Sequence, residues 1–538
     1  MRLPNMSDDR IVDTIHRLIT HVKLQQFLKG IPNWIHWLNS KNAIFSKKLK
    51  FSTLVGISFC VYVAQYLLPI LLPISIKHVN IKPITRDVII YATFLYKNST
   101  RYKQPQAGHD TFVMLMLAYR TDNFPFMRCA RENTEFEPVI AQLQSYDYTA
   151  LCNQAIFIAI CNFPTDLAND RRQNESAMLD LGPQVLVNEQ LRQTYFDEPI
   201  FHELVVRKAD QTPRNLLICV SRIFAFEKWQ LLLTAMEVYK ALGVDLVVMH
   251  IVSALSAVIK LINAYEAEGR LAVRKGFKLP LLRAMNFDPE LQIEYSGQLA
   301  MAHECFYEFR ESAKFIALLD LDDLLVTIKF ASLTDALNAA SIKHSMAPYF
   351  YVNKLESGIL LTRQQKNDST KASSARKMFE YYEIDFMHKF RELILTKQMY
   401  NSEKLVLRPD RIDAFWVHFS RDYKGKHKPV QLSNDYMSIL HLSKDIIDQM
   451  PKKHYYFDAI RQCSRFINNY PNAPVQIPSP CLSYKLCNLP KVKVECSVAK
   501  SKYYTKTIMP TNIYRVHVLR KSYFVKRKGG CFGRKLKF

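Results

Sequence analysis

Four apolar residues, Ile316 to Leu319, run directly into Asp320, Leu321, Asp322 and Asp323. The apolar run reads as the end of a buried strand, where an uncompensated carboxylate costs several kcal/mol. Something must neutralise these three side chains. Two carboxylates in a D-x-D lie close enough to share a hard divalent cation such as Mg²⁺ or Mn²⁺. Such ions take oxygen ligands and commonly bridge a few carboxylates to substrate phosphates. The pattern therefore points to a metal–diphosphate site. D-x-D alone is a weak signal, and the same carboxylates could instead cap a turn or pair with a neighbouring Lys or Arg.

The segments before the motif must hold it in place. "NLLICVS", from Asn215, reads as a short apolar strand, and Trp229, Leu232, Leu233, Met236 and Tyr239 follow at helical spacing, with Gly243 as a stop. "DLVVMHIV" is a second strand. "SALSAVIKLINAYEAEG" reads as a helix capped by Ser253 and ended by Gly269. "LAVRKGF" is a third strand, and the helix "QLAMAHECFYEFRES" leads into "AKFIALLD". Strands alternating with helices predict an α/β fold, a mostly parallel sheet with helices on both faces. Ligands in such sheets bind beyond the carboxyl ends of the strands, where Asp320, Asp322 and Asp323 fall.

Three stretches together resemble glycosyltransferase family 92: Asn215 to Leu271, "SGQLAMAHECFYEFRESAKFIALLDLDDLL", and "KLVLRPDRIDAFWVHFS". The resemblance runs from about Arg214 to Phe419. It includes Cys219 after the first strand, Gln298 and Cys305 on one helix, the acidic motif, and the late "RPDRI…VH" element. It implies a GT-A-like nucleotide-sugar-transferase fold and a type II membrane protein of the secretory pathway. It also implies transfer of galactose from a UDP sugar to a glycan or glycoprotein acceptor, with inversion and a divalent metal, usually Mn²⁺. Asp322, with Asp320 or Asp323 assisting, would then be a metal ligand, and His418 the late third ligand. Asp320 could instead meet a donor hydroxyl, and Ser221 and Arg222 stand where this fold holds the nucleotide. The acceptor's base would come from Glu380, Glu383 or Asp385, among which the sequence does not choose. The family pattern more often ends its acidic motif in Glu, where this chain has Asp323. Cys219 and Cys305 could be buried thiols or a disulfide.

The chain has 538 residues, 49% hydrophobic and 23% charged, enough for two or three folded domains. Its net charge of +24 does not indicate nucleic acid, because no zinc-finger spacing, RNA-binding motif or basic heptad helix accompanies it. The end from Ser501 is basic with no acidic residue, and its charge run "KSYFVKRKGGCFGRKLKF", Lys521 to Phe538, reads as a solvated tail. Phe51 to Ile76 carries no charge and follows Lys47, Lys48 and Lys50. That is long enough to cross a bilayer and predicts a signal anchor in membrane lipid, with the remainder in the Golgi or ER lumen. Ten of the eleven cysteines follow it, as do sequons at Asn98, Asn174 and Asn367. The expected organisation is a tail at 1–50, the anchor at 51–76 and a stem at 77–109. A small β-rich luminal region follows at 110–213, then a catalytic domain at 214–450 and a basic, cysteine-containing region at 451–538. The competing reading is a luminal glycan-binding or scaffolding protein that keeps the fold without turnover.

Overall fold

The computed structural model describes residues 86–97, 109–120, 127–131, 139–146, 152–164, 177–180, 202–204, 206–280, 282, 289–359, 393–420, 422–423, 428–442, 492–507 and 514–531, all within the compact unit Lys82–Phe538. Among them no helix is long and apolar enough to cross a membrane. The expected anchor, the tail before it and all three sequons lie outside the described residues.

The predicted strands form neighbours in one sheet. Leu271–Lys275, Leu246–Ile251, Arg214–Ile223 and Ala313–Leu319 lie side by side in that order, all parallel. The chain steps outward from Arg214–Ile223 on one side and returns to its other side with Ala313–Leu319. The carboxyl ends of these two strands therefore flank a topological switch point, the usual crevice for a ligand. The expectation of a mostly parallel sheet holds only for this half. Leu393–Leu407 pairs antiparallel with Ala313–Leu319 and with Tyr349–Ile359. Ser438–Leu442 then pairs parallel with Tyr349–Ile359 and antiparallel with Asp323–Val326, so the nine-stranded sheet is mixed. The alternation of strand and helix that enforces parallel pairing ends with the helix Leu333–Lys343, and later strands take either direction.

Alternation along each strand divides the core. Leu216, Ile218, Val220, Phe315, Ala317 and Leu319 face one side, packed with the helices Trp229–Ala241, Ser256–Ala267 and Leu333–Lys343. Leu217, Cys219, Ile316 and Leu318 face the other, where the helix Gln298–Phe309 lies. Helices thus cover both faces, as expected. Gln298–Phe309 is buried nearly all round, because a second sheet packs on its far side through Ile89, Val113, Leu115 and Ile158.

That second sheet draws its strands from several of the expected segments. Arg86–Tyr96, placed in a stem, is a buried strand. It pairs with His109–Tyr119 on one side and, in parallel, with Tyr514–Arg527 on the other. Buried Asp87 fixes the second pairing, accepting hydrogen bonds from Arg515 Nε (2.6 Å) and His517 Nε2 (2.7 Å). Cys496–Thr507 completes the C-terminal hairpin and pairs with Ser253–Leu255. The stem, the β-rich region and the basic C-terminal region therefore contribute to one eight-stranded sheet rather than to separate units. Ser253, expected as a helix cap, is a strand residue instead. Sequence periodicity has no access to pairings across more than four hundred residues.

Three disulfides join described cysteines: Cys129–Cys161, Cys219–Cys305 and Cys496–Cys531. Cys219–Cys305 resolves the choice left open by the sequence and ties the first strand to the buried helix across 86 residues. Replacing both by Ala should lower the unfolding free energy by about 2–4 kcal/mol, the usual yield of a native cross-link. Urea denaturation of the oxidised proteins measures this, and equal midpoints would show that the bond constrains nothing.

Candidate active site

The acidic motif is a tight turn between two strands. Ala313–Leu319 ends just before Asp320, and Asp323 opens the strand Asp323–Val326. The Asp323 amide donates to the Asp320 carbonyl at 3.1 Å, and the Asp322 carbonyl accepts from the Leu442 amide at 2.9 Å. Three adjacent carboxylates therefore take three different environments.

Asp323 is fully buried. Its register partner across the strand pair is His441, whose Nδ1 meets Asp323 Oδ1 at 2.8 Å. Lys354 Nζ reaches the same oxygen at 2.7 Å, and Lys404 Nζ lies 3.3 Å from Oδ2. Burial alone would raise the Asp323 pKa. The His441 hydrogen bond and the charges of Lys404 and Lys354 outweigh it and hold the carboxyl below the usual range. Lys404 is also buried, which favours its neutral form, but Asp320 and Asp323 hold its pKa above the ordinary lysine value.

Asp320 is partly exposed. It accepts from Lys404 Nζ at 2.5 Å and from Gln298 Nε2 at 3.2 Å. It lines a cavity with Ser221, Gln298, Lys404, Phe415 and Val417, at the carboxyl ends of the two switch-point strands. Half-buried Asp322 differs from both: its carboxyl makes no hydrogen bond or ion pair among the described residues. Burial, then the neighbouring Asp323 and Asp320 charges, push its pKa up. Asp322, Asp323 and His441 each offer a ligand atom within 4.8 Å of the others. Two carboxylates and an imidazole suit Mn²⁺. Three carboxylates face two ammoniums, and Asp322 is the one of the three that pairs with neither. The donor set therefore fits a divalent cation.

Of the sequence-selected residues, Ser221 and Asp320 share the cavity, and Asp322 lies in the carboxylate–imidazole cluster. His418 is not in that cluster. Its Nδ1 lies 2.8 Å from the Glu403 carbonyl. A carbonyl can only accept, so Nδ1 carries the proton and Nε2 presents a lone pair. Burial, with a further contribution from the Lys404 charge, lowers the His418 pKa and keeps the ring neutral. Arg222 does not line the cavity. At φ 61° its buried side chain turns back, donating from Nε to the Ser296 carbonyl (2.7 Å) and pairing with Glu290 (3.4 Å). Glu380, Glu383 and Asp385 lie outside the described residues. Sequence reasoning missed Lys354, Lys404 and His441. Each is a basic residue set among apolar neighbours in a strand ("YFYVNKL", "EKLVL", "SILHL"), which was the available signal.

Residues 214–472 match the model of the family described as glycosyltransferase family 92. Three Caenorhabditis elegans proteins, each named a glycosyltransferase family 92 protein, are similar over this part of the chain. The first is 25% identical over 245 residues, 45% of each chain. The second is 26% identical over 242 residues, 45% of this chain and 43% of the relative. The third is 25% identical over 236 residues, 44% of this chain and 42% of the relative. The match thus spans less than half the length of each relative. Residues 214–472 are a glycosyltransferase family 92 domain.

The family 92 domain contains the whole nine-stranded sheet, the acidic turn and its compensating lysines. The strands Arg86–Tyr96, His109–Tyr119 and Gln154–Pro164, and the C-terminal hairpin, lie outside the matched span although they pack on the domain's helix. Within the domain, Lys404→Met should destabilise the fold by about 3 kcal/mol, the low end for breaking a buried pair, because Lys354 and His441 remain on Asp323. Chemical denaturation tests this, and an unchanged midpoint would mean that Asp323 does not need the second ammonium.

Proposed function

We propose that the protein is a metal-dependent glycosyltransferase, moving a hexose, galactose by family resemblance, from a UDP sugar to a glycan or glycoprotein acceptor with inversion. The reading includes a single-pass type II membrane protein facing the Golgi or ER lumen, supported by the uncharged run Phe51–Ile76, its preceding lysines and the later sequons. The observation that carries the catalytic reading is the uncompensated Asp322 carboxyl beside Asp323 and His441, in the same turn that places Asp320 in the switch-point cavity.

Asp322, Asp323 and His441 would hold the ion, and His418 lies near enough to feel the charges of Lys404 and Asp320. Bound there, a divalent cation supplies positive charge for the diphosphate that leaves. The chain's own groups do the rest. Protonated Lys404 sits in the cavity wall and adds a fixed positive charge. Asp320, steadied by Gln298 and Lys404, accepts a hydrogen bond from a ribose or sugar hydroxyl of the donor. Ser221 offers a hydroxyl at the end of the first strand.

The deciding experiment incubates full-length protein with Mn²⁺, a glycan acceptor mixture and a panel of nucleotide sugars, reading nucleoside diphosphate release. Release is expected with a UDP sugar and should disappear with EDTA. Release from no donor, or release indifferent to EDTA, contradicts the proposal.

Asp322→Asn separates function from stability. It should lower metal-dependent transfer by about a hundredfold, the scale of losing one transition-state charge stabiliser. Asp322 has a raised folded pKa, so its contribution to stability is present below its unfolded pKa and lost as pH rises through the folded one. At neutral pH without metal the ionised carboxyl is therefore a liability. Asp322→Asn should raise the metal-free Tm at pH 7 and make little difference in acid. A lower Tm at pH 7 would show that Asp322 is already compensated.

A further inference from the structure

The C-terminal hairpin pairs Cys496–Thr507 with Tyr514–Arg527, and the two faces of its ribbon differ. Side chains alternate between faces along a strand. On the inner face Ser501 Oγ accepts from the Lys278 amide (2.8 Å), and Tyr503 and Leu519 pack into the core shared with the helix Gln298–Phe309. Lys500, Lys502 and Tyr504 therefore point outward, and all three are exposed. Register sets Tyr523 opposite Lys500 and Lys521 opposite Lys502, on the same outer face. The ladder is irregular just beyond. Lys502 pairs with Lys521 but Tyr503 with Leu519, so Arg520 is the extra residue of a bulge, a feature that re-aims a side chain. Arg520 Cζ lies 5.2 Å from the centre of the Tyr504 ring, and Lys502 Nζ 5.9 Å from that of Tyr523. The outer face is thus a row of cations interleaved with two phenol rings.

The hairpin does not neutralise this row. No acidic residue follows Glu495 in the sequence, and Glu495 itself pairs with Lys526 at 3.5 Å. Lys500, Lys502 and Lys521 have no ion-pair partner among the described residues. Like charges directly opposite each other destabilise a sheet, so Lys502 and Lys521 weaken the ribbon where they face. The ribbon is nevertheless fixed at both ends. Cys496–Cys531 closes one, and Arg515 and His517 on buried Asp87 hold the other. An array of unpaired cations that is ordered before binding is complementary to a polyanion. A bilayer also carries negative charge, but surface-bound segments bury apolar side chains at the acyl boundary. Of the exposed large hydrophobic side chains among the described residues, only Tyr504 lies on the hairpin. Sugar rings, by contrast, lay their C–H faces on phenol rings while their anionic groups meet the ammoniums.

We propose that the outer face of the C-terminal hairpin binds a sulfated polysaccharide, with Lys500, Lys502, Arg520 and Lys521 on its sulfates and Tyr504 and Tyr523 against its sugar rings. The hairpin lies outside the family 92 domain, so the inference goes beyond the catalytic reading and does not depend on it.

The test titrates full-length protein with a heparin-derived decasaccharide at about 0.15 M NaCl, where weak surface attraction is screened. The triple variant Lys500→Gln, Lys502→Gln, Lys521→Gln is compared with a control that removes the same charge from exposed helix lysines, Lys240→Gln, Lys260→Gln, Lys343→Gln. The hairpin variant should lose about tenfold in affinity, the sum of three exposed ion pairs, and the control less than about twofold. The decasaccharide should also raise the Tm of the natural protein and of the control. If the triple variant does not fold, Lys502→Gln alone should lose about two- to threefold. No binding by the natural protein, or equal losses in hairpin variant and control, overturns the site, the second by showing attraction to net charge alone. Phosphatidylserine-containing vesicles and an oligothymidylate are the competing probes. Tighter binding of either one, abolished in the hairpin variant, would assign the face to lipid or nucleic acid and overturn the glycan. Donor turnover should be unchanged in the hairpin variant, so failure here leaves the catalytic reading standing.

Discussion

Asp323 is buried without exposure and remains ionised, and the geometry of the site follows from that one constraint. A carboxylate in such a place has to be met by cations and hydrogen bonds. Lys354 comes from one antiparallel strand, Lys404 from its partner strand, and His441 from the strand on the other side of Lys354. The compensation therefore fixes the mutual position of four strands at the mixed end of the sheet. Because Lys404 also pairs with Asp320, it carries that constraint from the sheet interior to the cavity wall. Asp322, between them in the turn, is left as the one carboxylate without a charge partner among the described residues. Three neighbouring carboxylates in a single four-residue turn thus meet three different charge environments.

The helix Gln298–Phe309 is the second fixed point. It lies between two sheets, so it cannot present a polar face, and even His303 and Glu304 are buried on it. Glu304 is paired with Arg207 of the N-terminal part. Burial would raise its pKa, but Arg207 and His250 bring it down to about 2. Cys219–Cys305 holds the same helix to the central strand. These ties set where Gln298 begins, and Gln298 donates to Asp320. Arg222, which looked from sequence like a nucleotide contact, acts one step back. It holds the left-handed segment at 295–297 that aims the helix, and does not itself reach the cavity.

The parallel half of the fold was legible because each of its signals is local. Apolar runs near Leu216, Leu246, Leu271 and Phe315 alternate with helical periods, and right-handed crossovers leave little freedom in how they assemble. The acidic turn was legible for the same reason: its position at a strand end follows from the run before it. What was not legible depends on distant pairings. Lys354, Lys404 and His441 meet Asp323 only through strand register, and Asp87 meets Arg515 and His517 across almost the whole chain. His418 was chosen by resemblance alone. The structure gives it a fixed tautomer beside Lys404, which periodicity could not specify.

The eight-stranded sheet changes what the family 92 domain can be taken to contain. A domain read from 214 to 472 carries the acidic turn and its lysines, but the wall facing the helix Gln298–Phe309 is built from strands on both sides of it in sequence. The insulated helix then separates two surfaces with different origins. One is the switch-point end with its carboxylates, set by the alternating strands. The other is the seam with Arg120, Tyr146 and Gln154, set by a sheet that closes only when residues 86–96 pair with residues 514–527. Since Leu299 lies between the switch-point cavity and the seam, a change in the flanking sheet can alter the seam while leaving the acidic turn and its lysines in register. The seam and the charge compensation at the turn are thus built from different strands, and none of the groups paired with Asp323 comes from the flanking sheet.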